Sequence, residues 1–159
     1  TRAPGRAVAA VGLSTGALVV MDLRAAGLRS MLLVEPPLRS AESWPLFEFR
    51  TQGPPGWETL IEPIFGIGPT IARSMDYTPH LDTLAVPALV IAGDIPLQPR
   101  RAMPVMPSLV DAESRGRLAT HPRVRFEEFP GVGHNIPAQA PERFLEAMRR
   151  VCRVAVAAQ

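Results

Sequence analysis

Several features are scarce in this sequence, and each scarcity excludes a class of protein. The single cysteine, Cys152, rules out an internal disulfide and a cysteine metal cluster, and it predicts a reducing, cytoplasmic location without a metal site. No apolar run approaches the roughly 20 residues of a membrane-spanning helix, so no membrane partner is expected. Lysine is absent; 17 arginines against 15 acidic residues leave a net charge of +2. Without a stripe of arginines and interleaved aromatics, nucleic acid is not an expected partner.

The remaining composition is that of a globular domain. The chain has 159 residues, of which 47% are hydrophobic and 20% are charged. That length suits one domain with a real core and leaves little room for a second. Eighteen prolines are many for this length, and their concentration between residues 36 and 107 predicts irregular structure there.

The first 26 residues predict a strand, a sharp turn and a helix. Residues 7–11 form a short apolar run, as expected of a strand buried on both faces, and residues 17–26 have apolar positions at helical spacing before Gly27. Between them stands Gly12-x-Ser14-x-Gly16. Such a turn projects a serine hydroxyl from the carboxyl edge of a sheet, and the glycines avoid clashes where strand and helix nearly touch.

Two other interpretations of this region fit less well. A secretory signal with Arg2 and Arg6 at its start would have its apolar stretch broken by Gly-Leu-Ser-Thr-Gly. A dinucleotide-binding turn would need Gly-x-Gly-x-x-Gly and an acidic residue that meets a ribose, whereas Glu35 is followed by two prolines. A strand–helix junction without chemistry remains an alternative.

Three further strands are predicted downstream. They cover residues 29–34, 86–92 and 124–129, the last with the partial alternation of an edge strand. Helical patterns lie between and after them, the final one over residues 141–156. Strands separated by helices predict an α/β fold with a parallel sheet.

Three residues follow the ends of predicted strands in the order Ser14, Asp94, His134. The carboxyl edge of a parallel sheet is where ligand sites form. A serine hydroxyl needs a base, and the base needs a carboxylate that fixes its tautomer. The flanking Gly131 and Gly133 allow the histidine loop to bend toward the serine, so these residues predict a catalytic triad.

The chain resembles the C-terminal half of an α/β-hydrolase over nearly its whole length. Gly-Leu-Ser-Thr-Gly resembles the nucleophile elbow, Met-Leu-Leu-Val-Glu-Pro-Pro the next strand, Val-Pro-Ala-Leu-Val-Ile-Ala-Gly-Asp the acid strand, and Phe-Pro-Gly-Val-Gly-His-Asn-Ile-Pro the histidine loop. The resemblance implies a three-layer parallel-sheet sandwich that lacks the N-terminal strands. It also implies a single partial domain over residues 1–159, with residues 36–80 as a short cap or lid insertion.

The same resemblance implies roles for individual residues. Ser14 would be the nucleophile, His134 the general base and the backbone N–H of Thr15 one oxyanion donor. The family's usual acid position is occupied by Pro96. Asp94 is the preferred acid because it is the carboxylate nearest to that position, and Glu35, at the end of the preceding strand, is the alternative.

The expected activity is a carboxylesterase-like serine hydrolase without a cofactor, acting on an ester or similar acyl bond of a small apolar substrate. A cofactor-free oxidase or haloperoxidase is a minor alternative. The expected apolar pocket has five residues: Leu13, Trp44, Phe47, Trp57 and Phe65.

The family's sheet begins upstream of the elbow, where a loop gives the second oxyanion donor, and 13 residues precede Ser14 here. This chain alone is therefore expected to be inactive if it is a fragment, half of a paired assembly or a degenerate relative. The alternative function is a non-catalytic module that pairs with itself or with an N-terminal half through the exposed edge of the elbow strand.

Overall fold

The computed structural model describes six stretches of the chain, which are residues 7–40, 44–47, 56, 58–68, 73–100 and 105–157. The strands are β1 (Val8–Leu13), β2 (Leu28–Val34), β3 (Ala88–Gly93) and β4 (Val124–Phe129). The helices are α1 (Thr15–Met21), α2 (Glu58–Phe65), α3 (Ala112–Thr120), α4 (Ile136–Gln139) and α5 (Pro141–Ala157). A 3₁₀ helix covers Thr78–Thr83.

The four strands form one parallel sheet in the order β1-β2-β3-β4. Leu13 pairs with Val34, Val34 with Ile91, and Gly93 with Phe129. The strand ends therefore lie side by side along one edge of the sheet, as the sequence predicts.

Two cores lie on the two faces of this sheet, because successive side chains of a strand point to opposite faces. Met31, Leu33 and Val90 belong to the core that also contains the inner face of α1 and the buried Leu118 of α3. Leu32, Val34, Leu89 and Ile91 belong to the other core, against Ala147 and Val151 of α5. The result is the three-layer arrangement predicted from the sequence.

The elbow strand is half exposed, which corrects the prediction of a strand buried on both faces. Among the residues that the structure describes, β1 has a neighbouring strand on one side only, and Val8, Val11 and Leu13 are 41%, 40% and 42% exposed. Helix α1 is also shorter than predicted and ends at Met21. Gly27, at φ 85°, lies instead in the turn that leads into β2.

The described parts of the predicted cap, residues 36–80, pack onto the sheet. Leu46, Ile61, Phe65 and Ile67 are buried in the same core as α1. Tyr77 ties its two ends together, because its hydroxyl donates to Ile64 O at 2.5 Å and its N–H donates to Leu38 O at 2.7 Å. A division into domain and lid stays a prediction.

Candidate active site

The turn between β1 and α1 holds Ser14 in a strained conformation. Ser14 has φ 53° and ψ −122°, a region that residues with side chains rarely adopt. Its N–H donates to Val34 O at 2.8 Å, and its carbonyl accepts from Ala17 N at 2.9 Å. The turn is therefore fixed on both sides, to the neighbouring strand and to the helix that follows.

Gly12 is required by the closeness of strand and helix. A Cβ at this position would lie 2.3 Å from Gly16 O and 2.7 Å from Ala17 Cα. A Cβ at Gly16 would meet nothing within 4 Å. The predicted reason for the two glycines thus holds for Gly12 and fails for Gly16, which is approached through its backbone.

Backbone hydrogen bonds place three polar residues next to one another at the sheet edge. The N–H of Ser14 bonds to β2, the N–H of Glu35 bonds to Ile91 O at 2.9 Å, and the N–H of Asp94 bonds to Phe129 O at 3.2 Å. Glu35, like Ser14, has a φ of 53°. Strained residues cluster at functional sites, and here the two lie on adjacent strands at the same edge.

The carboxylate of Glu35 is fully buried and surrounded by donors. Its Oε1 accepts from Gly93 N at 2.5 Å. Its Oε2 accepts from Leu109 N at 2.8 Å and from Ser108 Oγ at 3.1 Å. A buried carboxylate is tolerated when protein hydrogen bonds replace those it would make with water. These donors therefore hold Glu35 in place at this edge of the sheet.

His134 lies against this carboxylate. Its Nδ1 is 3.3 Å from Glu35 Oε2, and its side chain is 14% exposed. The histidine loop is docked closely: a Cβ at Gly93 would lie 2.1 Å from Val132 O, and one at Gly133 would lie 2.1 Å from Met106 O. Gly133 is therefore needed because the loop packs closely against Met106. The sequence had instead suggested that this glycine allows the loop to bend.

Asp94, the preferred acid in the sequence analysis, does not contact His134. Its carboxylate is exposed, and Oδ1 accepts from Gly131 N at 2.7 Å. Gly131 has φ 71°, so Asp94 stabilises the turn that begins the histidine loop. The structure thus brings Glu35, the alternative acid, to His134 and not Asp94, because the glutamate after β2 points inward while Asp94 is exposed. The identity of the triad acid stays a prediction.

The nucleophile and the oxyanion donor remain predictions. Ser14 Oγ makes no hydrogen bond within the described stretches of the chain. The hydrogen bond between a catalytic nucleophile and its base is often long or poorly aligned before substrate binds. Thr15 is the first residue of α1, so its N–H has no acceptor within the helix.

The four predicted pocket residues that the structure describes do not form one group. Phe65 is 1% exposed and belongs to the core, while Leu13 and Phe47 are 42% and 37% exposed. The Nε1 of Trp44 donates to Leu97 O at 2.8 Å, which ties its ring to the segment after β3. Trp57 lies outside the described residues.

A groove of about 610 Å³ lies beside the exposed Asp94. Leu97, Val110, Arg115 and Glu128 are among its lining residues, and none of the four predicted pocket residues that the structure describes lines it. The groove therefore has both charged and apolar side chains in its lining.

Three residues of the candidate site were not predicted from the sequence. Ser108 donates to Glu35, Arg115 donates to Ser108 Oγ at 2.8 Å, and Gln139 Oε1 accepts from Gly133 N at 2.6 Å. They stand in a proline-rich stretch and on two helices without a motif at fixed spacing. Only the fold brings them to the site.

The described residues contain neither a candidate membrane-spanning helix nor a candidate metal-binding group. No helix there is long and apolar enough to cross a membrane. Nor do these residues contain a group of three or more His, Cys, Asp or Glu side chains that could hold a metal ion.

Comparison with known proteins gives structural matches only. No family model and no curated protein matches the chain. A proline iminopeptidase from Mycobacterium smegmatis is similar with a TM-score of 0.62 at 17% identity, over 97% of this chain and 68% of that one. For an esterase from Thermogutta terrifontis the TM-score is 0.57 at 19% identity, over 94% and 66%. For an E-2-(acetamidomethylene)succinate hydrolase it is 0.61 at 16% identity, over 93% and 67%.

These similar structures are α/β-hydrolase fold enzymes. The chain therefore has the α/β-hydrolase fold, and the resemblance seen in the sequence is confirmed at the level of the fold. It spans about two thirds of the length of these structures.

Proposed function

We propose that this chain carries the nucleophile, base and acid of a serine hydrolase that cleaves an ester or similar acyl bond of a small apolar substrate. The observation that carries the proposal is the contact of His134 Nδ1 with the buried Glu35 Oε2, at the edge where the strained Ser14 also lies. The acid of the triad is then Glu35 in place of Asp94. The similar esterase and hydrolase structures support this class of reaction only through their fold.

Glu35 sets the tautomer of the base. An ionised carboxylate only accepts hydrogen bonds, so the ring nitrogen that faces it carries the proton. Nδ1 of His134 is then the donor to Glu35, and Nε2 keeps a free lone pair for the Ser14 hydroxyl proton. As the imidazole becomes positively charged, the buried carboxylate stabilises it.

The proposed reaction runs in two halves. Ser14 Oγ attacks the substrate carbonyl while His134 Nε2 takes its proton, and the backbone N–H of Thr15 stabilises the oxyanion. His134 then gives the proton to the leaving alcohol, which departs and leaves an acyl-serine. In the second half His134 takes a proton from water, the hydroxide attacks the acyl group, and the carboxylic acid is released as Ser14 regains its proton.

A fluorophosphonate probe tests the nucleophile. We expect one adduct per chain, mapped by peptide mass spectrometry to Ser14, with labelling lost in Ser14→Ala and strongly slowed in His134→Gln. Ser114→Ala is the matched control, because Ser114 is a buried serine that donates to Asp111 and lies outside the site. Labelling that persists unchanged in Ser14→Ala would overturn the assignment.

A non-catalytic interaction module is the second candidate. The supporting observation is the edge strand β1, whose Val8, Val11 and Leu13 are each about two-fifths exposed. Unpaired apolar edges invite pairing with another strand. Light scattering on the purified chain would support this candidate through a stable, probe-inert dimer, and a monomer that labels at Ser14 would contradict it.

A further inference from the structure

The oxygen of Glu35 that contacts His134 is shared with two other donors. Oε2 accepts from Leu109 N and from Ser108 Oγ, and it lies 3.3 Å from His134 Nδ1. The histidine contact is the longest of the three. The orientation of this carboxylate is therefore set mainly by groups other than the histidine.

Ser108 can donate in one direction only. Its Oγ lies 2.8 Å from an Nη atom of Arg115 and 3.2 Å from Val110 N, and both of these groups are donors without acceptor capacity. A hydroxyl has one proton and two acceptor lone pairs. With both incoming bonds made, the proton of Ser108 is left to point at Glu35 Oε2, 3.1 Å away.

Arg115 also supports the other oxygen of Glu35. The same Nη atom donates to Gly93 O at 2.7 Å, and the N–H of Gly93 donates to Glu35 Oε1 at 2.5 Å. The guanidinium is fixed in turn by its Nε, which donates to Val110 O at 2.9 Å, and by an ion pair with Glu128. Its side chain is 18% exposed, so solvent screens it little.

We propose that Ser108 and Arg115 are positioning residues: Arg115 fixes the direction of the Ser108 hydroxyl, and the two together orient Glu35 against His134. The consequence for catalysis rests on the proposed function. The consequence for the histidine does not, because the tautomer of His134 can be measured without substrate.

Nitrogen-15 NMR of the histidine rings is the first test. At a pH where the imidazoles are neutral, we expect His134, assigned by its loss in His134→Gln, to be mainly the Nδ1–H tautomer. Ser108→Ala and Arg115→Gln should each raise its Nε2–H fraction. Ser114→Ala and Arg117→Gln are matched controls, a buried serine and an exposed arginine on the same helix, and should leave it unchanged. His80, whose Nδ1 lies 2.8 Å from Asp22, is an internal reference.

Steady-state ester hydrolysis is the second test. Ser108→Ala and Arg115→Gln should each lower kcat about tenfold, the effect of losing one hydrogen bond to a charged group, with KM changed less than about twofold. Ser108→Thr, which keeps the hydroxyl, should recover most of kcat. A purely structural role for these residues would lower the folded fraction and leave both the tautomer and kcat per folded molecule unchanged.

The outcomes separate the two proposals. An unchanged His134 tautomer in both Ser108→Ala and Arg115→Gln, or an Nε2–H tautomer in the parent chain, overturns the positioning roles. If the tautomer responds as expected while the chain hydrolyses no ester and takes no fluorophosphonate, the positioning roles stand and the proposed function fails. Should Ser108→Ala not fold, Arg115→Gln decides, because it leaves Ser108 in place.

Discussion

His134 Nδ1 lies 3.3 Å from Oε2 of Glu35, a carboxylate with no exposed surface. Glu35 sits one residue beyond β2, and the histidine reaches it from a loop 99 positions later in the chain. The histidine loop packs closely at Gly93 and Gly133, where a Cβ atom would lie 2.1 Å from a backbone oxygen.

Gly12 and Gly16 should differ in their tolerance of alanine. In Gly12→Ala the new methyl group would lie 2.3 Å from Gly16 O, so strand and helix must separate. We expect a loss of about 2 kcal/mol or more in the free energy of unfolding. Gly16→Ala meets open space within a helix and should be neutral or stabilising by up to about 1 kcal/mol. Denaturant titration measures both, and an equal response of the two variants would contradict the account of the elbow.

Gly133→Ala should displace the histidine loop. Its methyl group would lie 2.1 Å from Met106 O, whose hydrogen bond with the His134 N–H would be broken. We expect slower fluorophosphonate labelling together with a lower midpoint of denaturation. Gly116→Ala on α3 is the control, because its methyl group meets nothing within 4 Å. Parent-like labelling in Gly133→Ala would show that the loop position does not matter for Ser14.

The ion pair between Glu127 of β4 and Arg150 of α5 should make stability depend on acid pH. Hydrogen bonds from Arg150 hold the pKa of Glu127 below its ordinary value, against the opposing effect of burial. A carboxylate whose pKa is lower in the folded state than in the unfolded state stabilises the protein at pH values above the unfolded-state pKa. This stabilisation is lost as the pH falls through the folded-state pKa. At neutral pH we expect Glu127→Gln to lower the free energy of unfolding by about 1 kcal/mol.

This difference from the parent should shrink as pH falls below about 4, the ordinary range of a glutamate. Urea titrations at several pH values measure it. Glu146→Gln is the control, since its carboxylate is exposed and its pair with Arg153 should contribute little at any pH. A Glu127→Gln deficit that stays constant down to strongly acid pH would contradict the role of the ion pair.

The sequence predicted the sheet well because three of its four strands are strongly apolar and each strand ends at, or within two residues of, a glycine, proline or serine. Met31 to Val34 and Ala88 to Ala92 alternate between two cores, as expected of strands in a sheet that is covered on both faces. Ser14 and His134 were predicted as site residues because each stands in a short glycine-containing motif after a strand. The exposure of Val11 could not be read from its apolar neighbours, since it depends on the strand order.

The sequence placed Asp94 ahead of Glu35 as the candidate acid because it does not reveal the direction of a side chain. Asp94 was preferred because it is the carboxylate nearest to the usual acid position, which Pro96 occupies, whereas Glu35 precedes two prolines. The deciding feature is the positive φ of Glu35, together with donors from Gly93, Ser108 and Leu109 that come from distant parts of the chain. The same reason applies to Arg115, which reaches the site only through the fold.

The most direct test of the central claim compares the rate of fluorophosphonate labelling at Ser14 in Glu35→Gln and Asp94→Asn, followed by intact-mass spectrometry. Both variants exchange a carboxylate for an amide of equal size, and circular dichroism would confirm that each is folded. We predict that Glu35→Gln slows labelling by about 10³- to 10⁴-fold, as expected when the base loses its orienting carboxylate, while Asp94→Asn stays within about threefold of the parent. Slow labelling in Asp94→Asn with parent-like labelling in Glu35→Gln would contradict the account.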